Sequence, residues 1–391
     1  MKSFTLAIVV DSYWPQRGGA EQAMVSFAAS LPEDWRVTII THAASDARTL
    51  YGRYTAHRQM PSNDPAGKVI EPLQAPRRAR LLLLPLLLWN VPLLRKLLPQ
   101  VLYDILYFWY RMVFCPGMNR LLDDADSVHC CSTGYPARCV AEICLKRGIT
   151  FIQQPFIHFG RWGDSPALLR SYAAADAVIC PTARFRERLT GRLERLGVAT
   201  VVDALVIPPV ISEKEYPKLR LPPVPGRFIL FLGRREAHKG LMKLLVAFTG
   251  LEGMASLVIA GPGEKIRTRN TSVFDLGEVD DSVKNWLLST CDVFCVPTSD
   301  ESFGIVFAEA MRYGKPVVAC DVAPVNELVI HGETGILVPV DDTDGIHLAL
   351  ERLLDDSALR KRFGVVAQQR YEKYFARSVV LEQMIRLHRS R

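Results

Sequence analysis

The sequence predicts an α/β protein built from two Rossmann-like, doubly wound parallel-sheet domains, and three observations carry that prediction. Short apolar runs of strand length alternate with amphipathic helical stretches, the pattern of parallel strands joined by crossover helices. The alternation occurs twice, separated by a stretch crowded with Pro208, Pro209, Pro217, Pro222, Pro223 and Pro225. At 391 residues the chain is longer than one hydrophobic core usually serves. The expected division is 1–207, then 208–377, then a last helix over 378–391.

Composition narrows the function classes. With 49% hydrophobic and 23% charged residues, a large core is available and global disorder is excluded. The net charge of +7 permits a phosphate-bearing substrate or an anionic bilayer without selecting between them, and no nucleic-acid partner is expected. Several of the nine cysteines, Cys180, Cys295 and Cys320 among them, lie in apolar runs where a small hydrophobe fits. Cys130, Cys131, Cys139 and Cys144 lack paired Cys-x-x-Cys spacing, so neither a zinc site nor a disulfide framework is expected, and a reducing cytoplasm fits. Met1-Lys2-Ser3, the run Phe4 to Val10 and Asp11 do not make a signal peptide, since the apolar run is short and no small-residue cleavage site follows.

In chain order, Phe4 to Val10 reads as a strand buried on both faces. Gly18-Gly19-Ala20-Glu21 then opens a helix with Ala23, Val25, Phe27, Ala28 and Leu31 on its apolar positions. Such a glycine turn lets backbone N–H groups approach a phosphate or sugar, although a lone Gly-Gly more often makes a plain helix entry. Gly-x-Gly-x-x-Gly is absent, which counts against a nicotinamide enzyme. Arg36 to Thr41 is the next strand, and residues 43–75 read as polar and loop-like.

Residues 76–118 form a hydrophobic and basic insertion. Leu81 to Leu94 reads LLLLPLLLWNVPLL, with Arg77, Arg78 and Arg80 before it and Arg95 and Lys96 after. As a helix this run would reach roughly 21 Å against a hydrocarbon core of roughly 30 Å, so it is too short to span, and Pro85, Asn90 and Pro92 interrupt it. Val101 to Phe114 adds Tyr103, Tyr107, Phe108, Trp109 and Tyr110. Leucines, interfacial aromatics and flanking cations favour a segment lying in a membrane surface, and two core helices are the alternative.

The alternation resumes with strands at Ser127 to Cys131, Thr150 to Gln154 and Ala177 to Cys180, and with helices at Ala137 to Arg147, Pro166 to Ala174 and Arg184 to Leu196. In the second series, strand Phe228 to Leu232 leads into Gly233-Arg234-Arg235-Glu236-Ala237-His238-Lys239-Gly240 and a helix from Leu241 to Phe248. A loop at the carboxyl end of a parallel strand overlooks the crevice where open α/β sheets bind ligands. Arg and Lys there suit a diphosphate, each contact at 4 Å being worth about 4 kcal/mol near a protein surface, though such a pair alone is more often solvated.

Downstream, the run Asp292 to Pro297 breaks at Thr298-Ser299-Asp300-Glu301, passes Ser302-Phe303-Gly304 and enters an amphipathic helix carrying Glu309. Unpaired N–H groups at a helix start favour a phosphate, and Gly304 lets the backbone come close. Glu309 falls in about the second turn and leans back toward the N-terminus, so Glu301 and Glu309 border one ligand. Carboxylates beside a phosphate point to the hydroxyls of a sugar or ribose. From the Glu-x7-Glu spacing alone, two dipole-favoured surface acids are the commoner explanation.

The context decides. The block Glu-Ser-Phe-Gly-Ile-Val-Phe-Ala-Glu-Ala, followed by Gly314-Lys315-Pro316-Val317-Val318-Ala319 and Gly332-Glu333-Thr334-Gly335-Ile336-Leu337-Val338, resembles the donor-binding half of retaining glycosyltransferases of the family 4 type, which have the two-domain GT-B fold. The resemblance is strong over Phe228 to Pro339. It is weaker before that, resting on Gly18 to Glu21 and on Ala174 to Thr182, which resembles the family's last N-domain strand. It implies catalytic roles for Glu301, His158, Arg234 and Lys239, with His129 a rival to His158. Donor contacts are implied at Gly19, Arg234, Lys239, Gly261, Val279, Phe303, Gly304, Ile305 and Glu309, with Arg234 and Lys239 favoured over Arg235 and His238 for the pyrophosphate. It also implies that the last helix crosses back to the first domain. Where the family often has Gly-Gly-x-x-Glu, this chain has Ala323-Pro324-Val325-Asn326-Glu327, which leaves the donor sugar and the role of Glu327 open.

The expected function is that of a retaining hexosyltransferase, moving a sugar from a nucleotide-diphosphate donor to an acceptor hydroxyl of a lipid-linked or membrane-presented glycan. Neither metal nor cofactor is expected, and the place is the cytoplasmic face of a membrane, with 76–118 docking. Same-face and covalent-intermediate routes stay open. The rivals are a GT-B nucleotide-sugar epimerase, separable by product analysis without acceptor, and a catalytically silent membrane scaffold, which would lack nucleotide affinity.

Overall fold

The computed structural model describes the chain apart from residues 1–2, 15–17, 43–49, 56–59, 92, 94–98, 158, 160–168, 198–202 and 215–225. It divides into two units, residues 1–210 with 381–391 and residues 211–380. Each has its own parallel sheet and its own core.

The first unit runs β1 (Thr5–Val10), α1 (Gly19–Ser30), β2 (Arg36–Thr41), α2 (Leu50–Thr55), β3 (Val69–Pro72), a 3₁₀ segment (Arg77–Asn90), α3 (Pro99–Leu121), β4 (Ser127–Cys130), α4 (Tyr135–Arg147), β5 (Thr150–Gln153), a 3₁₀ turn (Arg170–Ala174), β6 (Ala177–Cys180), α5 (Ala183–Arg195) and β7 (Asp203–Val206). The strands order β3-β2-β1-β4-β5-β6-β7, all parallel. β1 is buried from Leu6 to Val10 because crossover helices cover both faces of such a sheet.

Three expectations for this unit are corrected. Residues 43–75 are not all loop, since α2 and β3 lie there; β3 is a four-residue edge strand with only Ile70 buried, too short to show a period. β6 is not the last strand, because β7 pairs beyond it; its residues are half-buried or exposed, so it lacks the apolar run that marks an interior strand. One disulfide joins Cys115 on α3 to Cys139 on α4, with Cα atoms 6.0 Å apart. The packing of those two helices makes this pair, and their sequence spacing does not announce it.

The insertion is only partly as expected. Pro85 and its leucine neighbours form 3₁₀ turns, and no helix among the described residues is long and apolar enough to cross a membrane. Tyr103, Tyr107, Tyr110 and Phe114 are not interfacial: with Leu102, Leu106 and Met118 they face the core, at helical spacing along α3. The opposite face of the same helix exposes Val101, Ile105, Phe108 and Met112, and Leu81, Leu82, Leu84, Leu87 and Leu88 of the 3₁₀ segment are exposed as well.

The second unit runs β8 (Phe228–Leu232), a 3₁₀ turn (Ala237–Lys239), α6 (Leu241–Phe248), β9 (Ser256–Ala260), β10 (Val273–Gly277), α7 (Asp281–Thr290), β11 (Val293–Val296), α8 (Ile305–Arg312), β12 (Val317–Cys320), α9 (Val325–Leu328), β13 (Gly335–Val338), α10 (Thr343–Asp355) and α11 (Ser357–Tyr374); α12 (Arg377–Arg389) follows. The sheet orders β10-β9-β8-β11-β12-β13, again parallel. Every residue of β8, β11 and β12 is buried, at about 1.5–3 kcal/mol for each large apolar side chain.

Residues 381–391 group with the first unit, and His388 of α12 shows how. Ser127 Oγ and His388 Nδ1 lie 2.8 Å apart, His388 Nε2 and His129 Nδ1 3.0 Å, and His129 Nε2 and Gln154 Oε1 2.8 Å, all buried. Since the Gln154 carbonyl only accepts, both imidazoles carry the proton on Nε2, and the chain runs from the Ser127 hydroxyl to Gln154 in one direction. Burial lowers His129 to about 4 and, helped by His129, holds His388 well below the ordinary imidazole range. His129 is thereby accounted for as a structural residue.

Candidate active site

The order of the second sheet reverses between β8 and β11, the topological switch point where open α/β sheets bind ligands beyond their carboxyl ends. The loops leaving those strands are Gly233–Gly240 and Pro297–Gly304. They are tied together: the Ser299 N–H donates to the His238 carbonyl at 2.8 Å. Arg234, Lys239, Glu301 and Gly304 thus meet at one edge, although some sixty residues of chain separate the two loops.

Gly304 is the N-cap of α8, with φ 91°, and a Cβ there would sit 2.7 Å from the Phe307 ring. Only glycine fits that turn, and it leaves the first N–H groups of the helix without intrahelical acceptors. Ile305 is the first helical residue. Phe303 is buried and packs edge-on to Phe375, so only its backbone is available to a ligand. Gly261, with φ 132°, lies against the Gly233 carbonyl, where a Cβ would come within 2.1 Å; it lets the loop after β9 close on the loop after β8. Val279 is half-buried beside Asp280, the N-cap of α7.

The charged side chains here are paired with one another. Lys239 Nζ and Glu301 Oε1 are 2.5 Å apart, both largely buried. Lys284 Nζ donates to Glu309 Oε1 at 2.8 Å, again with both side chains largely buried. Arg235 makes a two-pronged pair with Asp275 at 2.7 and 2.5 Å and also donates to the Glu264 carbonyl at 2.6 Å. Burial pushes the Asp275 carboxyl up, but the Ile266 N–H, Arg235 and the Gly277 N–H pull it down by more, and it ends below the usual carboxylate range. Arg234 lies mostly in solvent, paired with Glu236 at 2.7 Å. His238 is lowered by burial and by the neighbouring Lys239.

Of the two adjacent arginines, therefore, Arg235 is consumed in a buried staple between β8 and β10, and Arg234 is open to a ligand. Lys284 was missed by sequence reasoning. Its only signal was indirect: a buried acid such as Glu309 in an apolar helix needs a buried partner. Gly19, the first residue of α1, belongs to the first unit, where Glu21 accepts from the Ser12 hydroxyl at 2.9 Å. His158 lies outside the described residues.

Comparison with known proteins bears on this arrangement. Residues 17–202 match the family described as Glycosyltransferase Family 4, and residues 212–370 match Glycosyl transferases group 1. The chain belongs to the family 4 type of glycosyltransferases. It is 37% identical over 211 residues to a phosphatidyl-myo-inositol mannosyltransferase of Mycolicibacterium smegmatis, covering 50% of this chain and 53% of that protein. It is 32% identical over 160 residues to the D-rhamnosyltransferase WbpZ of Pseudomonas aeruginosa, covering 38% and 42%. The matched stretch thus spans about half the length of these curated relatives.

The fold of this glycosyltransferase-family chain is GT-B. It superposes on the sucrose-phosphate synthase of Thermosynechococcus elongatus with a TM-score of 0.64, at 19% identity, over 99% of this chain and 98% of that one. It superposes on Anabaena HepE in complex with UDP-glucose with a TM-score of 0.67, at 16% identity, over 99% and 100%.

Proposed function

We propose that this protein is a retaining, metal-independent hexosyltransferase that takes a sugar from a nucleotide-diphosphate donor and places it on an acceptor hydroxyl. The observation that carries the reading is the meeting of Arg234, Lys239, Glu301, the α8 N-terminus and Glu309 at the switch point of the second sheet. In this reading Arg234, Lys239 and the first N–H groups of α8 hold the diphosphate and neutralise it as it leaves. They supply from the protein the positive charge that a metal would otherwise bring. Glu309 takes the ribose hydroxyls and Glu301 the sugar hydroxyls near the reacting carbon. Gly261 and Val279 line the nucleoside end through their backbones, and Phe303 and Ile305 lend backbone to the phosphate end. Gly19 and His158 keep donor-side and catalytic roles on the family resemblance alone.

The Lys239–Glu301 contact places the group read as meeting phosphate beside the one read as meeting the sugar. The acceptor in this reading is lipid-linked or presented at a membrane, with the protein peripheral on the cytoplasmic face. Support comes from the exposed stripe Val101, Ile105, Phe108, Met112, the exposed leucines of the 3₁₀ segment and the exposed Arg77 and Arg78. The relatives named for a phosphatidylinositol acceptor point the same way.

The test begins with a thermal-shift screen of nucleoside diphosphates and their sugars, where a ligand at 100 times its Kd stabilises by about 2.7 kcal/mol. The selected donor is then incubated with lipid extract and chelator, and the product's anomeric configuration is read by NMR. Transfer with retention in the presence of chelator is expected. Inversion, loss of activity with chelator, or donor epimerisation without acceptor would overturn the corresponding part of the reading.

A further inference from the structure

We propose that Lys284 is a positioning residue of the donor site, holding the Glu309 carboxylate so that one oxygen faces the ribose; this rests on the reading of Glu309 given above. Lys284 lies in the first turn of α7, whose start is pinned by Asp280 accepting from the Ser282 and Val283 N–H groups, each at 2.9 Å. Glu309 sits on α8, on the far side of β11 in sequence, and 7% of its surface is accessible. The Lys284 side chain is 14% exposed, with Nζ 2.8 Å from Glu309 Oε1 and 3.6 Å from Asp281 Oδ1. A lysine that gives up most of its hydration must be fixed by its anionic partners, and here two carboxylates hold it.

The consequence is geometric. Oε1 of Glu309 is occupied by Lys284, and Oε2 carries no hydrogen bond among the described residues. A carboxylate with one oxygen tied down presents the other along a set direction, and the ammonium compensates its charge when a ligand covers it. A vicinal diol offers hydroxyl donors to such an oxygen. A freely rotating glutamate would have to be ordered at binding, and the lysine has done that ordering beforehand.

The experiment measures binding of UDP and GDP, each with its 2′,3′-dideoxy analogue, to the full chain and to Lys284→Met, Lys284→Arg and Glu309→Gln. For the better-binding ribonucleotide, Lys284→Met raises Kd about tenfold, a charge-assisted hydrogen bond being lost from the site. Lys284→Arg recovers most of it, and KM of the donor sugar moves far more than kcat. Against the dideoxy analogue, Lys284→Met binds as the parent does, because no hydroxyl is left for Glu309 to receive. Equal weakening toward both analogues reduces Lys284 to a fold-supporting ion pair and overturns the proposal. If Glu309→Gln weakens the ribonucleotide and Lys284→Met does not, the proposal fails while the ribose reading stands; if Glu309→Gln changes nothing, the ribose reading itself fails. Lys284→Gln, which keeps a donor and the volume, carries the same comparison if the methionine variant does not fold.

Discussion

Arg234 and Arg235 are chain neighbours with opposite expected phenotypes. The Arg235 side chain is 5% exposed and its partner Asp275 9%, and the guanidinium spans β8 and β10 through two bonds to the carboxylate and one to the Glu264 carbonyl. Arg235→Ala strands a buried carboxylate, which costs about 3–5 kcal/mol. Asp275 keeps the Ile266 and Gly277 N–H donors at 2.7 and 2.9 Å, so the low end, about 3 kcal/mol, applies. For a cooperative unit of roughly 150–250 residues each kcal/mol moves Tm by about 2–4 °C, so a fall of about 6–12 °C is expected. Arg234, 58% exposed and paired with the partly exposed Glu236, carries almost no stability, and its alanine variant should melt within about 1–2 °C of the parent. Its deficit should appear instead in binding of the selected nucleoside diphosphate, about tenfold or more for a lost charge-assisted contact. Circular dichroism melts of ligand-free protein and calorimetric titration read the two effects separately. A normal Tm for Arg235→Ala, or normal donor affinity for Arg234→Ala, would refute the division of labour.

Two further predictions concern the first unit. His129, His388 and His42 are neutral in the fold, with His129 lowered to about 4 and His42 to about 3, chiefly by burial. Unfolded imidazoles take up protons below about 6.5 and the folded ones do not until about 4 or lower, so stability falls as pH drops through that window. Asp11, raised by burial, opposes the trend at the acid end. Melts from pH 7.5 to 5 should therefore steepen downward, and His388→Leu should flatten the slope while lowering Tm at pH 7; parallel slopes would remove His388 from the account. At the exposed stripe of α3, Phe108→Asp should cost less than about 0.5 kcal/mol of stability. It should nonetheless abolish cosedimentation with anionic liposomes, and Arg77→Glu with Arg78→Glu should weaken it by about 1 kcal/mol per cation. Unaltered sedimentation in both would make a soluble acceptor the better account.

The sequence by itself determined the parallel-sheet class and marked the loops after Leu232 and Val296 as the candidates for a ligand site. Runs such as Phe228 to Leu232 and Val293 to Val296 are apolar throughout, because a strand covered on both faces cannot alternate, and a local pattern of that kind survives without knowledge of the fold. Gly304 was legible for the same reason, its left-handed turn being a local demand. Tertiary structure alone decided which charges meet. Lys239 finds Glu301, Lys284 finds Glu309, and Arg235 finds Asp275, across 62, 25 and 40 residues, where no spacing rule operates. The leucine-rich insertion shows the limit most plainly. Its apolar content said only that it must leave water, whereas the packing of α3 placed Tyr103, Tyr107, Tyr110 and Phe114 inward and left Ile105 and Phe108 outward. Which apolar face meets the core and which stays open depends on what lies beside the helix, and that is fixed only when the sheet order brings its neighbours into contact.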